Sequence, residues 1–123
     1  MSDSVLIVDD NAINLKVLQL TLEEAGYRVH TAIDAEHALA TIGAVRPRLV
    51  LMDLQLPGMD GLELTRRLKA DPQGCPIIIA VTAYAMKGDE QHARSAGCDG
   101  YLTKPINTRT LAETVAGYLA GAR

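Results

Sequence analysis

The hydrophobic positions fall into short runs separated by longer amphipathic stretches. Val5-Leu6-Ile7-Val8 is an apolar run too short for a helix, and it reads as a strand buried on both faces. Asp9-Asp10-Asn11 ends it. Ile13, Val17 and Leu20 then recur at helical spacing, with Leu15, Leu18 and Leu22 widening the stripe. Asn11 as N-cap and Gly26 as stop predict a first helix over residues 12–25. Residues 27–32 alternate as a second strand. Asp34 caps a second helix carrying Ala35, Ala38, Leu39 and Ile42, with Gly43 and Pro47 punctuating its end. Leu49-Val50-Leu51-Met52-Asp53 is a third strand that stops on a carboxylate, and residues 54–61 read as a loop.

The second half repeats this alternation. Asp60-Gly61 opens a third helix with Leu62, Thr65 and Leu68 inward and Arg66, Arg67 and Lys69 outward. Residues 76–82 form the clearest strand. A fourth helix over residues 87–96 follows, with only Ala85, Met86, Ala93 and Ala96 as apolar content, so it is the least firmly anchored. Gly100-Tyr101-Leu102-Thr103 is a short fifth strand ending in Lys104-Pro105. Asn107 or Thr108 caps a last helix with Leu111, Val115 and Leu119 inward. Five strands alternating with five helices predict an α/β fold: a doubly wound parallel sheet with right-handed crossovers. The first, third and fourth strands are nearly wholly apolar and belong at the centre. The fifth is shorter and more polar and suits an edge.

Composition adds limits. The chain has 123 residues, 48% hydrophobic, with four Tyr and no Phe or Trp, so one aliphatic core is expected. A formal net charge of −3 argues against nucleic acid as main partner. No apolar run reaches the roughly 18 residues that span a bilayer, and the polar start lacks a signal-peptide pattern. Cys75 and Cys98 have no CxxC spacing and read as small buried residues in a reducing compartment. A cytoplasmic protein is expected.

The chemistry gathers at the strand ends. Strand one ends in Asp9 and Asp10, strand three in Asp53, strand four in Thr82 and strand five in Lys104. A parallel sheet brings all these ends to one edge, where doubly wound folds bind ligands. Singly, each has a plain explanation: Asp53 as a turn residue, Asp9 or Asp10 as a cap, Thr82 as an ordinary strand residue, Lys104 as a solvated lysine. Together they make a site. Two carboxylates about 4 Å apart repel by roughly 4 kcal/mol at an effective dielectric near 20. One lysine cannot neutralise three acids, so a hard divalent cation is expected, and Mg²⁺ suits a site with few protein ligands. That cation favours phosphoryl transfer onto an oxygen nucleophile. Lys104 and the Thr82 hydroxyl can hold phosphoryl oxygens.

These motifs closely resemble the receiver domain of two-component response regulators. They are Asp9-Asp10, Asp53 before Leu56-Pro57-Gly58-Met59-Asp60-Gly61, Val81-Thr82-Ala83, and Tyr101-Leu102-Thr103-Lys104-Pro105. The resemblance covers almost the whole chain. The stretches 9–14 and 81–90 look most like single-domain DivK-type regulators, and also like receivers attached to hybrid histidine kinases. The resemblance implies a CheY-like, flavodoxin-like sheet of order 2-1-3-4-5. It implies that Asp53 accepts a phosphoryl group from a phosphohistidine on a histidine kinase or histidine phosphotransfer protein. Asp10, Asp53 and the backbone carbonyl of Gln55 would bind Mg²⁺ directly, and Asp9 through a water. Lys104 would pair with the phosphoryl group, Thr82 would turn inward to it, and Tyr101 would swing from exposed to buried. Pro105 is expected in cis.

The expected readout is the surface of the fourth helix, fifth strand and fifth helix, preceded by the loop 84–87, acting on a downstream protein target. Gln55 and Tyr84 would tune the lifetime of the phosphorylated state. Phosphodonor docking is expected at Asn14, Leu15 and Leu18 beside Pro105-Ile106, with core packing an equal reading for Leu15 and Leu18. Residues 1–123 are expected to be a single receiver without an output domain. The alternatives are a receiver belonging to a hybrid kinase or multidomain regulator, an Asp-nucleophile phosphatase, a flavin or nucleotide carrier, and a non-phosphorylated scaffold. A haloacid-dehalogenase-like phosphatase would carry an acid where Gln55 stands, and would need a cap. A nucleotide carrier would need a Gly- or Ser/Thr-rich loop where Asp9-Asp10 stands.

Overall fold

The structure is a computed structural model that describes residues 3–54, 61–71, 76–82 and 89–121. Five strands alternate with five helices: β1 (Ser4–Val8), α1 (Ala12–Glu24), β2 (Arg28–Ala32), α2 (Ala35–Val45), β3 (Leu49–Asp53), α3 (Gly61–Lys69), β4 (Ile77–Thr82), α4 (Asp89–Ala96), β5 (Gly100–Thr103) and α5 (Leu111–Gly121). All strand pairs are parallel, in the order β2-β1-β3-β4-β5. The expected α/β sheet and its order are therefore present. The most apolar strands, β1, β3 and β4, are central because both of their faces are covered.

Strand alternation divides the core in two. Leu6, Val8, Val50, Met52, Ile78 and Ala80 pack under α2, α3 and α4. Val5, Ile7, Leu49, Leu51, Ile79 and Val81 pack under α1 and α5, against Leu15, Leu18, Leu22, Leu111, Val115 and Leu119. No described helix is long and apolar enough to cross a membrane.

Several helix details differ from the sequence expectation. In α1 the buried stripe is Leu15, Leu18 and Leu22, while Ile13, Val17 and Leu20 are 76%, 46% and 50% exposed. Both triads have helical spacing but lie about half a turn apart around the helix, at roughly 100° per residue. They are opposite faces, not one widened stripe, and only one can meet the sheet. Helix α2 runs through Gly43 and ends at Arg46, whose N–H still bonds the Ile42 carbonyl and whose left-handed φ of 56° turns the chain out of the helix. On α3 Leu64 joins Thr65 as a fully buried side chain, with Leu62 only partly buried. Asn107 organises a turn, accepting from the Arg109 N–H at 3.0 Å, and α5 begins only at Leu111. The expected apolar positions Ala85 and Met86 lie outside the described residues.

Candidate functional site

The parallel sheet places Asp9, Asp53, Thr82 and Lys104 at its carboxyl edge. Each is held by its own element. The N–H of Asp9 bonds the Ala32 carbonyl of β2 at 3.1 Å. Its Oδ1 accepts the Asn11 N–H at 2.9 Å, a short Asx-type turn that aims the other oxygen into the site. Asn11 then caps α1, its Oδ1 accepting from the N–H groups of Ile13 and Asn14, both at 3.0 Å. Asp53 is the last residue of β3, in register with Val81, and Leu54 N–H donates to the Val81 carbonyl at 3.0 Å. Lys104 N–H donates to the Thr82 carbonyl at 2.8 Å, which carries the β4–β5 ladder one residue further. The Lys104–Pro105 peptide is cis, as the resemblance implied.

Side-chain direction follows the pleat. Asp53 continues the alternation of Leu49 and Leu51, and Asp9 that of Val5 and Ile7, so both share the α1–α5 face. Thr82 continues Ile78 and Ala80, on the face covered by α2, α3 and α4. Tyr101 is half-buried and packs on that same cluster.

Lys104 joins the acids. Its Nζ lies 2.9 Å from Asp53 Oδ2 and 3.2 Å from Asp9 Oδ2. Asp9, Asp53 and Thr82 are almost wholly buried, and Asp10 is exposed. Burial works to lower the Lys104 pKa, but the hydrogen bond and charge of Asp53, and then Asp9, more than offset it. The net shift is upward from 10.5, so the ammonium is firmly charged.

Carboxylate oxygens of Asp9, Asp10 and Asp53 all lie within 4.8 Å of one another. An all-oxygen, anionic donor set of this kind fits a hard divalent cation such as Mg²⁺. Gln55, expected to add a backbone carbonyl, lies outside the described residues, as does Tyr84.

A groove of about 490 Å³ opens beside Asp9 and Lys104, with Asn14, Val17, Leu18 and Pro105-Ile106 among its walls. Leu15 is not on this groove. It packs in the core, as Leu18 largely does, at 7% and 6% exposure. The sequence reading missed Val17 and Thr108 as walls of the groove. Val17 carried a signal, since one of two opposite apolar faces must remain uncovered. Thr108 carried none.

A model of the response regulator receiver domain matches residues 5–116. The polar-differentiation response regulator DivK of Brucella anthropi is 44% identical over 123 residues, spanning 99% of this chain and 100% of that protein. Among solved structures, a CheY-like receiver domain from Methanospirillum hungatei superposes with a TM-score of 0.90. Its identity is 35%, over 98% of this chain and 96% of that one. A putative response regulator from Chloroflexus aurantiacus gives 0.91 and 33%, over 98% and 99%. A family match of this extent makes the acidic edge a signalling device rather than the active site of an enzyme. With its acids clustered at the end of β3, the chain belongs to the response regulator receiver family of two-component signalling.

Proposed function

We propose that this protein is a stand-alone cytoplasmic receiver. In this reading it takes a phosphoryl group from a phosphohistidine onto Asp53 and passes the change to a protein partner. The observation that carries the reading is the meeting of three carboxylates within 4.8 Å, two of them bridged by the Lys104 ammonium.

One oxygen of Asp53 attacks the phosphorus. The P–N bond to the donor imidazole breaks, and its electron pair stays with the imidazole. Water later hydrolyses the acyl phosphate, releasing inorganic phosphate and restoring the carboxylate. Mg²⁺, held by Asp10 and Asp53 and through a water by Asp9, with the Gln55 carbonyl as a further ligand, would offset charge on the phosphoryl oxygens. Lys104 supplies a fixed positive charge on the α1–α5 side of the sheet. Thr82 approaches from the other face, so turning its hydroxyl to the phosphoryl group loosens its own side. Tyr101 shares that side and would move inward after it. The readout is thus the α4–β5–α5 surface, and the occupant it controls is a downstream protein.

Phosphodonor docking follows the geometry of α1. The groove beside Lys104 is walled by Asn14, Leu18, Pro105 and Ile106, and the exposed Ile13, Val17 and Leu20 extend an apolar face from it. A kinase or phosphotransfer helix seated there would lie next to Asp53. Leu15 does not line this groove, whereas Leu18 does.

Incubation with Mg²⁺ and acetyl phosphate tests the reading. A single phosphoryl adduct by mass spectrometry is expected, lost with EDTA and absent in Asp53→Asn. An adduct that persists in Asp53→Asn would refute it.

A further inference from the structure

Helix α3 begins against the phosphoacceptor strand. Gly61, its first residue, is buried. A Cβ built on Gly61 would stand 2.8 Å from the Asp53 carbonyl oxygen and 2.8 Å from Leu54 Cα, with Leu54 Cδ2 at 3.3 Å. Ordinary carbon–oxygen contacts are roughly 3.3–3.6 Å. The obstruction is mostly backbone, so no rotamer change removes it.

Neither wall can withdraw freely. Asp53 ends a central strand, and the following N–H of Leu54 is bonded to Val81. Helix α3 is fixed by Leu64 and Leu68 in the core. Its first turn is tightened further by the buried Thr65 hydroxyl, which donates to the Gly61 carbonyl at 2.9 Å. Thr65 in turn contacts the buried Cys98 Sγ at 3.7 Å. Local preference runs the other way, because glycine is a poor helix former. The residue type at this helix start is therefore set by the tertiary contact and not by the helix.

We propose that Gly61 is a positioning residue for phosphoryl transfer. The missing side chain lets α3 seat directly on the Asp53–Leu54 backbone, and this sets where the Asp53 carboxylate stands relative to Lys104. The proposal rests on the reading of Asp53 as phosphoacceptor. It concerns a residue that touches neither the phosphoryl group nor the cation, and it acts through the backbone of one that does.

The test compares wild type, Gly61→Ala and Leu68→Val, which loosens the same helix without touching Asp53. Initial phosphorylation rates with acetyl phosphate and Mg²⁺ are read by mass spectrometry, and Mg²⁺ affinity by calorimetric titration. Gly61→Ala should fold, lose roughly 10- to 100-fold in rate, and bind Mg²⁺ more weakly. Leu68→Val should stay within about threefold in both, because misplacement of the reacting groups and not loosening of the helix is what costs rate. Gly61→Ala at the wild-type rate and affinity would overturn the proposal and leave the phosphoacceptor reading standing. A loss no larger than that of Leu68→Val would do the same. No adduct on wild type would overturn both. Should Gly61→Ala not fold, the wild-type protein decides by amide NMR. Gly61 must then shift with Asp53 and Leu54 on addition of Mg²⁺, and an unmoved Gly61 amide overturns the proposal.

Discussion

Replacing Asp53 by Asn should make the metal-free protein more stable while ending its function. The distances set the sign. Asp53 gains about 6 kcal/mol from Lys104 at 2.9 Å, taking an effective dielectric near 20. It loses at least about 3.5 kcal/mol to Asp9, whose oxygen lies within 4.8 Å. Asp10 adds a smaller repulsion, discounted because it is exposed. The Coulomb terms leave at most about 2.5 kcal/mol of net attraction. Desolvation then decides, because Asp53 is only 3% exposed and a buried carboxylate costs several kcal/mol. Asn keeps an oxygen that can accept from Lys104, so the hydrogen bond is not lost. The expected net gain is about 1–3 kcal/mol. For a chain of 123 residues each kcal/mol corresponds to about 3–6 °C in Tm. Thermal melts in EDTA should show it. Mg²⁺ at one hundred times its Kd should then raise wild type by about 2.7 kcal/mol and the variant by much less, so the gap closes or reverses. A variant that melts below wild type in EDTA, or gains as much from Mg²⁺, would refute this charge balance.

Three further outcomes follow from the same geometry. Lys104→Met should cost about 2–3 kcal/mol near pH 8, less than for a fully buried pair because the lysine is about a fifth exposed. Because the folded pKa is raised, this stabilisation is fully present below 10.5 and is lost as pH rises through the folded value, so urea titrations should show the gap shrinking only on that alkaline side. Asn11→Ala removes the acceptor of two N–H groups of α1 and should lower stability by about 1 kcal/mol in chemical denaturation, with the acidic site otherwise intact. Thr82→Ala should still be phosphorylated but lose partner discrimination, and equal affinity of a partner for both forms of the unmodified protein would count against the switch.

The sequence carried most of the fold because its signals are local. Short apolar runs bounded by turn residues read as buried strands, and Asn11 and Asp34 cap the helices they precede. The failures were also specific. Gly43 and Pro47 together mark the end of α2, but only the structure places that end at Arg46, past Gly43 and just before Pro47. Asn107 or Thr108 reads as a cap, yet Asn107 builds a separate turn and α5 begins only at Leu111. In the site, Asp9, Asp53, Thr82 and Lys104 were legible because a parallel sheet sends every strand end to one edge. The Asx turn that aims Asp9 is a matter of two dihedrals, and no periodicity reports it.

What the sequence determines by itself is therefore which residues reach the carboxyl edge, since strand direction follows from the alternation of strands and helices. What only the tertiary structure decided is how they face one another. Pleat parity separates Asp9 and Asp53 from Thr82, and one ammonium bridges two of the three acids. On α1, two equally apolar faces compete, and the sheet buries Leu15, Leu18 and Leu22 while leaving Ile13, Val17 and Leu20 to solvent. At Gly61, a helix start that would favour alanine takes glycine because the Asp53–Leu54 backbone lies 2.8 Å from where a methyl would stand. The physical reason is common to all three. Period and propensity are properties of one segment, whereas orientation and close approach belong to the pair of segments that meet.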